Sequence, residues 1–226
     1  MHIPDGFLTN EVAVVAAVPA IAAVAVGLRK ATAELDEKRV PLLGVTAAFI
    51  FAVQMLNFPV VGGTSGHLLG AALAAILLGP WLACVVMAVV LTAQAFIFAD
   101  GGITALGANI LNMGVIGALF VGFGMIWALK LLPPGRGVYL GATAVASWLA
   151  VMLGALATSI ELGLSDTVPL STVLPAMLGV HSLIGIGEAV ITVAAVSAVL
   201  ATRPDLLSIR PREGEGFGIP AATAGV

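Results

Sequence analysis

The chain holds three histidines: His2, beside its own amine in MHIPDGFL; His67, in VVGGTSGHLLG; and His181, inside a long apolar run. The first of these can do specific chemistry. The free amine of Met1, the backbone amide nitrogen of His2 and the His2 imidazole act together as a chelator. Amine and amide close a five-membered ring on a metal ion; amide and Nδ1 close a six-membered one. Three nitrogens then lie near one plane with one position open, and a planar nitrogen set suits Ni(II) or Cu(II). The amide must lose its proton to bind, so such a site weakens in acid. The plainer reading of His2 is a flexible chain end, and that of His67 is a hydrogen-bonding group between helices.

Local sequence favours a shaped start over a loose one. Pro4 fixes its own φ and pushes Ile3 into an extended form. Asp5-Gly6 is a turn signal. Phe7 and Leu8 can anchor in apolar surroundings, and Thr9 or Asn10 can cap a following helix. No Lys or Arg precedes Arg29, and no small-residue cleavage site follows a short apolar core. The start is therefore expected to survive processing rather than to leave as a signal peptide.

What positions these residues is set by composition. The chain has 226 residues, 60% hydrophobic and 9% charged, where a soluble domain carries about 25% charged residues. So few charges cannot cover a water-exposed surface, and the solvent must be lipid. The length suits roughly six or seven helices of about 20 apolar residues each, with no separate soluble domain. The net charge of −3 and the absence of a basic patch leave no case for nucleic acid. The single cysteine, Cys84, lies in an apolar run and forms neither an intrachain disulfide nor a zinc cluster.

Apolar runs between breakers predict an all-α integral membrane fold with seven transmembrane helices near 11–28, 41–58, 65–79, 81–99, 103–128, 138–160 and 174–201. Gly- and Ala-rich, non-alternating runs argue for helices over barrel strands. The nine basic residues are Arg29, Lys30, Lys38, Arg39, Lys130, Arg136, Arg203, Arg210 and Arg212. With seven spans and the N-terminus outside, all of them fall on the cytoplasmic side; without the third span they divide. The positive-inside bias therefore predicts N-terminus outside and C-terminus cytoplasmic. The organisation is then a metal-binding segment over 1–10, a membrane domain over 11–202 and a partly disordered cytoplasmic tail over 203–226.

That topology places His2, His67 and His181 on the outer side. His67 is the best candidate for the fourth ligand. Gly62, Gly63, Gly66 and Gly70 surround it, and a glycine-rich loop at membrane depth is tolerated where it lines a buried cavity. The N-terminal segment is expected to insert into the bundle beside it.

Other intramembrane polar groups have assignable roles. Glu188 reads as the only ionisable carboxylate well inside a span, and such a group is a functional candidate by default. It shares a helix face with His181 but lies about 10 Å from it along the axis, too far for one metal shell. Partnership with an Asn, a Gln or a backbone group is preferred, beside a role in coupling. His181 is a candidate to orient a ligand, or a packing histidine. Asn57, closing the second span, can approach the metal segment. Asp100 heads an outer DGG loop and can attract cations. Gln94, Asn109 and Asn112 read as interhelical hydrogen-bonding residues, the last two on one face. Ala13-Ala17, Ala16-Ala20 and Ala71-Ala75 read as packing faces, within the chain or against a partner.

MHIPDGFL, VVGGTSGHLLG and ADGGITALGANILNMG together resemble the CbiM/NikM family, the membrane substrate-binding subunits of energy-coupling-factor cobalt and nickel transporters. The resemblance extends over roughly residues 1 to 202. It implies a seven-helix subunit of a prokaryotic inner membrane, with metal held by the Met1 amine, the His2 amide and imidazole, and the His67 imidazole. His181, Asn57 and Glu188 would stand behind them. It also implies a transmembrane coupling subunit, two cytoplasmic ATPase subunits and a small accessory membrane subunit as partners. No G-x-x-x-x-G-K-[ST] motif occurs in the chain, so ATP hydrolysis would be the partners' work. The expected cargo is Ni(II), with Co(II) as the alternative. A stand-alone secondary transporter would show ionisable groups along a complete route, and an intramembrane hydrolase would show H-E-x-x-H or a comparable motif; neither pattern is present.

Overall fold

The computed structural model describes residues 1–34 and 40–212. The loop basic residues Lys38 and Arg39, and the tail beyond Arg212, lie outside them. Seven helices follow one another: α1 (Asn10–Glu34), α2 (Val40–Met55), α3 (Ala71–Leu78), α4 (Pro80–Phe98), α5 (Leu106–Leu131), α6 (Arg136–Leu164) and α7 (Leu170–Thr202). Five of them, α1 and α4 to α7, are long and apolar enough to cross a membrane. The outward faces carry Val14, Val15, Val18, Ile21, Phe96, Trp127 and Leu183, as lipid rewards.

The third span is the main correction. A helix over 65–79 was expected; the helix is only α3, Ala71–Leu78, about 12 Å long at 1.5 Å per residue. Residues before it are extended. Phe58–Pro59 (β1) pairs antiparallel with Ser65–Gly66 (β2). Gly70 then turns into α3 with φ 74°, a conformation that costs glycine little. A Cβ there would meet Ile50 Cγ1 at 2.8 Å. The Glu188 carboxylate accepts the Leu69 and Gly70 amide N–H groups at 2.8 and 2.6 Å. It thereby supplies the partners that an extended backbone at this depth lacks. Gln54 Nε2 donates to the Leu69 carbonyl at 2.7 Å.

Gly79 separates α3 from α4, and Pro80 starts α4, where a missing N–H costs nothing. Both helices are buried on most faces. α5 runs with wide, π-helical turns through Ile110–Phe120. Gly117 in that stretch lies so close to α3 that a Cβ would stand 3.2 Å from Ala71. The small-residue faces are used within the chain: Ala16, Ala20, Ala71 and Ala75 are buried, and Ala17 abuts Gly107 of α5.

The first ten residues of the expected loose tail are packed. Ser208 and Ile209 amides donate to the Ile76 carbonyl at 2.9 and 3.0 Å. The Tyr139 hydroxyl donates to the Ile209 carbonyl at 2.7 Å. Leu207 and Ile209 are buried. Arg212 donates to carbonyls at the end of α5. Lost apolar periodicity hid two apolar side chains, Leu207 and Ile209, that join the buried core.

Candidate metal centre

The N-terminal segment lies inside the protein. Met1 and Ile3 are fully buried and His2 is 3% exposed. Pro4 to Phe7 form a turn, with Gly6 at φ 80° and the Phe7 amide donating to the Pro4 carbonyl. Ile3 is held like a strand residue. Its N–H donates to Asn109 Oδ1 at 2.9 Å, and its carbonyl accepts from Asn109 Nδ2 at 3.1 Å and from the Gly102 amide at 2.8 Å. Asp5 accepts the Thr104 amide and hydroxyl at 2.7 and 2.6 Å, which hold its carboxyl below the usual range. The Thr167 hydroxyl donates to the Phe7 carbonyl.

These bonds bring the expected ligands together. The Met1 amine donates to Ser65 Oγ at 2.9 Å and to the Ser65 carbonyl, and stands 3.1 Å from His67 Nε2. Nitrogens bound at about 2 Å and at right angles around one ion lie about 2.8 Å apart, so this edge is nearly in place. The His2 and His67 rings stack, centroids 4.5 Å apart and planes 25° from parallel. The His2 amide N–H, which a chelated ion must displace, donates to Ser65 Oγ at 3.1 Å.

Each ring shows which nitrogen it offers. His67 Nδ1–H donates to the Leu68 carbonyl at 2.9 Å, leaving the Nε2 lone pair facing the amine. His2 Nε2–H donates to Gln94 Oε1 at 3.1 Å, leaving Nδ1 as the lone-pair atom; Nδ1 is buried and has no hydrogen-bond partner. The nitrogen that closes the six-membered chelate ring is thus the free one. Burial pushes the amine from 8.0 down to about 4. Burial, and then the neighbouring amine, push His2 down to about 3. Both groups are uncharged at neutral pH, as metal ligands must be. The 3.4 Å contact of His2 Nδ1 with Asp100 Oδ1 is therefore not an ion pair. Among the described residues no three His, Cys, Asp or Glu side chains converge, so an ion here depends on backbone nitrogen.

The remaining expected residues are placed around this core. His181 is fully buried with Nδ1 2.7 Å from the Met177 carbonyl, and the structure gives it no bond to His2 or His67. Glu188 serves the backbone behind His67, through the Leu69 and Gly70 amides. Asn57 meets Asp100, its Nδ2 donating to Oδ2 at 3.0 Å. Asn109 and Asn112 go to different partners, because the wide turns of α5 send Asn109 to Ile3 and Asn112 Nδ2 to Glu161 Oε2 at 2.6 Å. Glu161 is a second buried carboxylate, 7% exposed. The expected span ended at residue 160, one position before Glu161; α6 runs on to Leu164, and Ser165 and Thr167 after it bond the Phe7–Thr9 segment. Ser65 went unread, and Gln94 was given only a general role; their contacts cross 64 and 92 positions of sequence.

Residues 2–206 match the CbiM family, the cobalt uptake substrate-specific transmembrane region. A protein of Haloquadratum walsbyi provisionally named for metal transport is 42% identical over 92% of this chain and 93% of its own. An Archaeoglobus fulgidus protein provisionally named a fused nickel transport protein, NikMN, is 41% identical over 95% of this chain and 70% of its own. A crystal structure of a truncated transition metal transporter superposes with a TM-score of 0.81 at 36% identity, covering 89% of this chain and 99% of that one.

Proposed function

The chain belongs to the CbiM family, the substrate-specific membrane components of cobalt and nickel uptake, and from that premise we propose that its cargo is Ni(II), captured in a square-planar site of four nitrogens. The donors are the Met1 amine, the His2 amide and Nδ1, and His67 Nε2. One observation carries the reading: with the amine 3.1 Å from His67 Nε2, each histidine's other nitrogen is already hydrogen-bonded to a protein carbonyl. The lone pairs left over are those the chelate needs. A deprotonated-amide, planar nitrogen set favours nickel over cobalt; cobalt uptake is the second reading, favoured by the family's description. Capture occurs at the outer face of a prokaryotic inner membrane. The energy comes from ATP hydrolysed by two cytoplasmic partners, acting through a membrane coupling subunit and with a small accessory subunit present.

The test is nickel binding by the purified chain with an unblocked Met1, read by metal content and absorption. A yellow, planar one-to-one nickel species is expected. His2→Ala, His67→Ala, or one residue added ahead of Met1 should each abolish binding. Submicromolar nickel affinity in any of the three would overturn the donor assignment.

A further inference from the structure

Four planar nitrogens do not neutralise a divalent ion. The amine and both imidazoles are neutral donors and the deprotonated amide brings one negative charge, so the centre proposed above retains one positive charge in a site whose Met1 and His67 are almost wholly buried. An uncompensated charge in such surroundings is costly. We infer that Asp100 is the counter-charge: an anionic group beside the His2 ring that would bring the loaded centre to neutrality and so set how tightly a divalent cargo is held.

The geometry comes from the last turn of α4. Ala99 takes a left-handed conformation, φ 54°, and the Asp100 amide donates back to the Gln94 carbonyl at 3.1 Å, a helix-ending motif. The same turn therefore places Gln94 Oε1 on one nitrogen of the His2 ring and Asp100 Oδ1 3.4 Å from the other. Carboxylate oxygen and imidazole lone pair are both acceptors, a pairing that repels by itself and becomes attractive when the lone pair holds a cation. The α4 C-terminus adds the negative end of a helix dipole at the same point. Asn57 fixes the second oxygen, Oδ2, at 3.0 Å, and the Asp100 side chain is 15% exposed. The other nearby carboxylates are committed: Asp5 to Thr104, Glu161 to Asn112, Glu188 to the Leu69 and Gly70 amides.

The inference rests on the nickel reading and is separable from it. Asp100→Asn keeps the shape and can keep a contact with Asn57. A unit negative charge about 5 Å from a centre of net charge +1, at an effective dielectric of about 20, is worth on the order of 100-fold in affinity. Asp100→Asn is expected to weaken nickel by about that factor through faster release, with the planar absorption band unmoved. Asn57→Ala, which keeps the charge, should weaken it less than about tenfold. Asp100→Ser gives the same reading should Asp100→Asn fail to fold. Affinity within threefold of the parent in the charge-removing variant would overturn the inference, as would a shifted band, which would make Asp100 a ligand. A parent protein without a planar nickel species would instead sink the nickel reading itself.

Discussion

His2 is flanked at both ring nitrogens by the end of α4, bonded by Gln94 at one and faced by Asp100 at the other, and this sets expectations for single residues. Gln94 fixes the tautomer that frees Nδ1, and such outer partners are worth 10–100-fold in metal affinity. Gln94→Leu should lower nickel affinity by about that range, and Gln94→Glu should restore most of it, by competition against a chromophoric chelator. Proton counting gives a second check. The amine, lowered to about 4, has no proton to give up near neutrality, so loading between about pH 6 and 8 should release one proton per nickel, that of the His2 amide. An amine at its ordinary 8.0 would release close to a second. Release of the amide proton makes affinity fall about tenfold per unit of acid, and the fall should steepen below about pH 4, where the amine also charges. Calorimetry in buffers of different ionisation enthalpy measures the count. At this scale the candidate donors were legible, because amine, amide and imidazole are adjacent in sequence. Ser65 and Gln94 were not, because a hydroxyl or an amide in an apolar chain has no local mark of its partner.

Among elements, the loop after α4 and the extended strand before α3 hold the chelator in register. Gly102 has no room for a side chain: a Cβ would lie 2.3 Å from the Asp5 nitrogen and 2.6 Å from the Pro4 carbonyl carbon. Gly102→Ala should displace residues 3–5 and cut nickel affinity by at least about tenfold, since small misplacements of positioned groups are costly, with helical content by circular dichroism unchanged. Glu188→Ala strips acceptors from two buried amides and should cost about 2 kcal/mol or more, read as a lower unfolding temperature in detergent. Glu188→Gln, retaining one acceptor oxygen, should cost less. The glycine run around His67 signalled irregular backbone, yet hydropathy alone drew a helix through it. Only tertiary contact, a carboxylate of α7 taking two strand amides, shows that the apolar residues before Gly70 need no helical bonds. The wide turns of α5 were equally unreadable, since close approach at Gly117 depends on where α3 lies.

Across the whole molecule, basic side chains among the described residues are sorted to one end. Arg29 and Lys30 lie toward the C-terminal end of α1, with Lys30 over the Trp81 ring at the start of α4. Lys130, Arg136, Arg203, Arg210 and Arg212 gather where Ser208 packs. His2, His67 and Asp100 occupy the opposite end of α4. This sorting was legible from basic residues alone, because the positive-inside bias is a count and needs no contacts. It predicts that Val61→Cys, 92% exposed in the parent, reacts with a membrane-impermeant maleimide added outside intact cells, whereas Pro134→Cys reacts only after lysis. Cys84 is buried and should give little background. The packed stretch after α7 was illegible for the opposite reason, since its order depends on partners far away in sequence, the Tyr139 hydroxyl and the Ile76 carbonyl. That carbonyl ends a short chain of connections. From His67 the backbone passes Leu69 and Gly70, pinned by Glu188, then enters two turns of buried helix and reaches Ile76, where Ser208 and Ile209 are tied. A displacement at Ile76 would therefore pass through buried helix and pinned backbone to His67, about as directly as a latch is worked by its own handle.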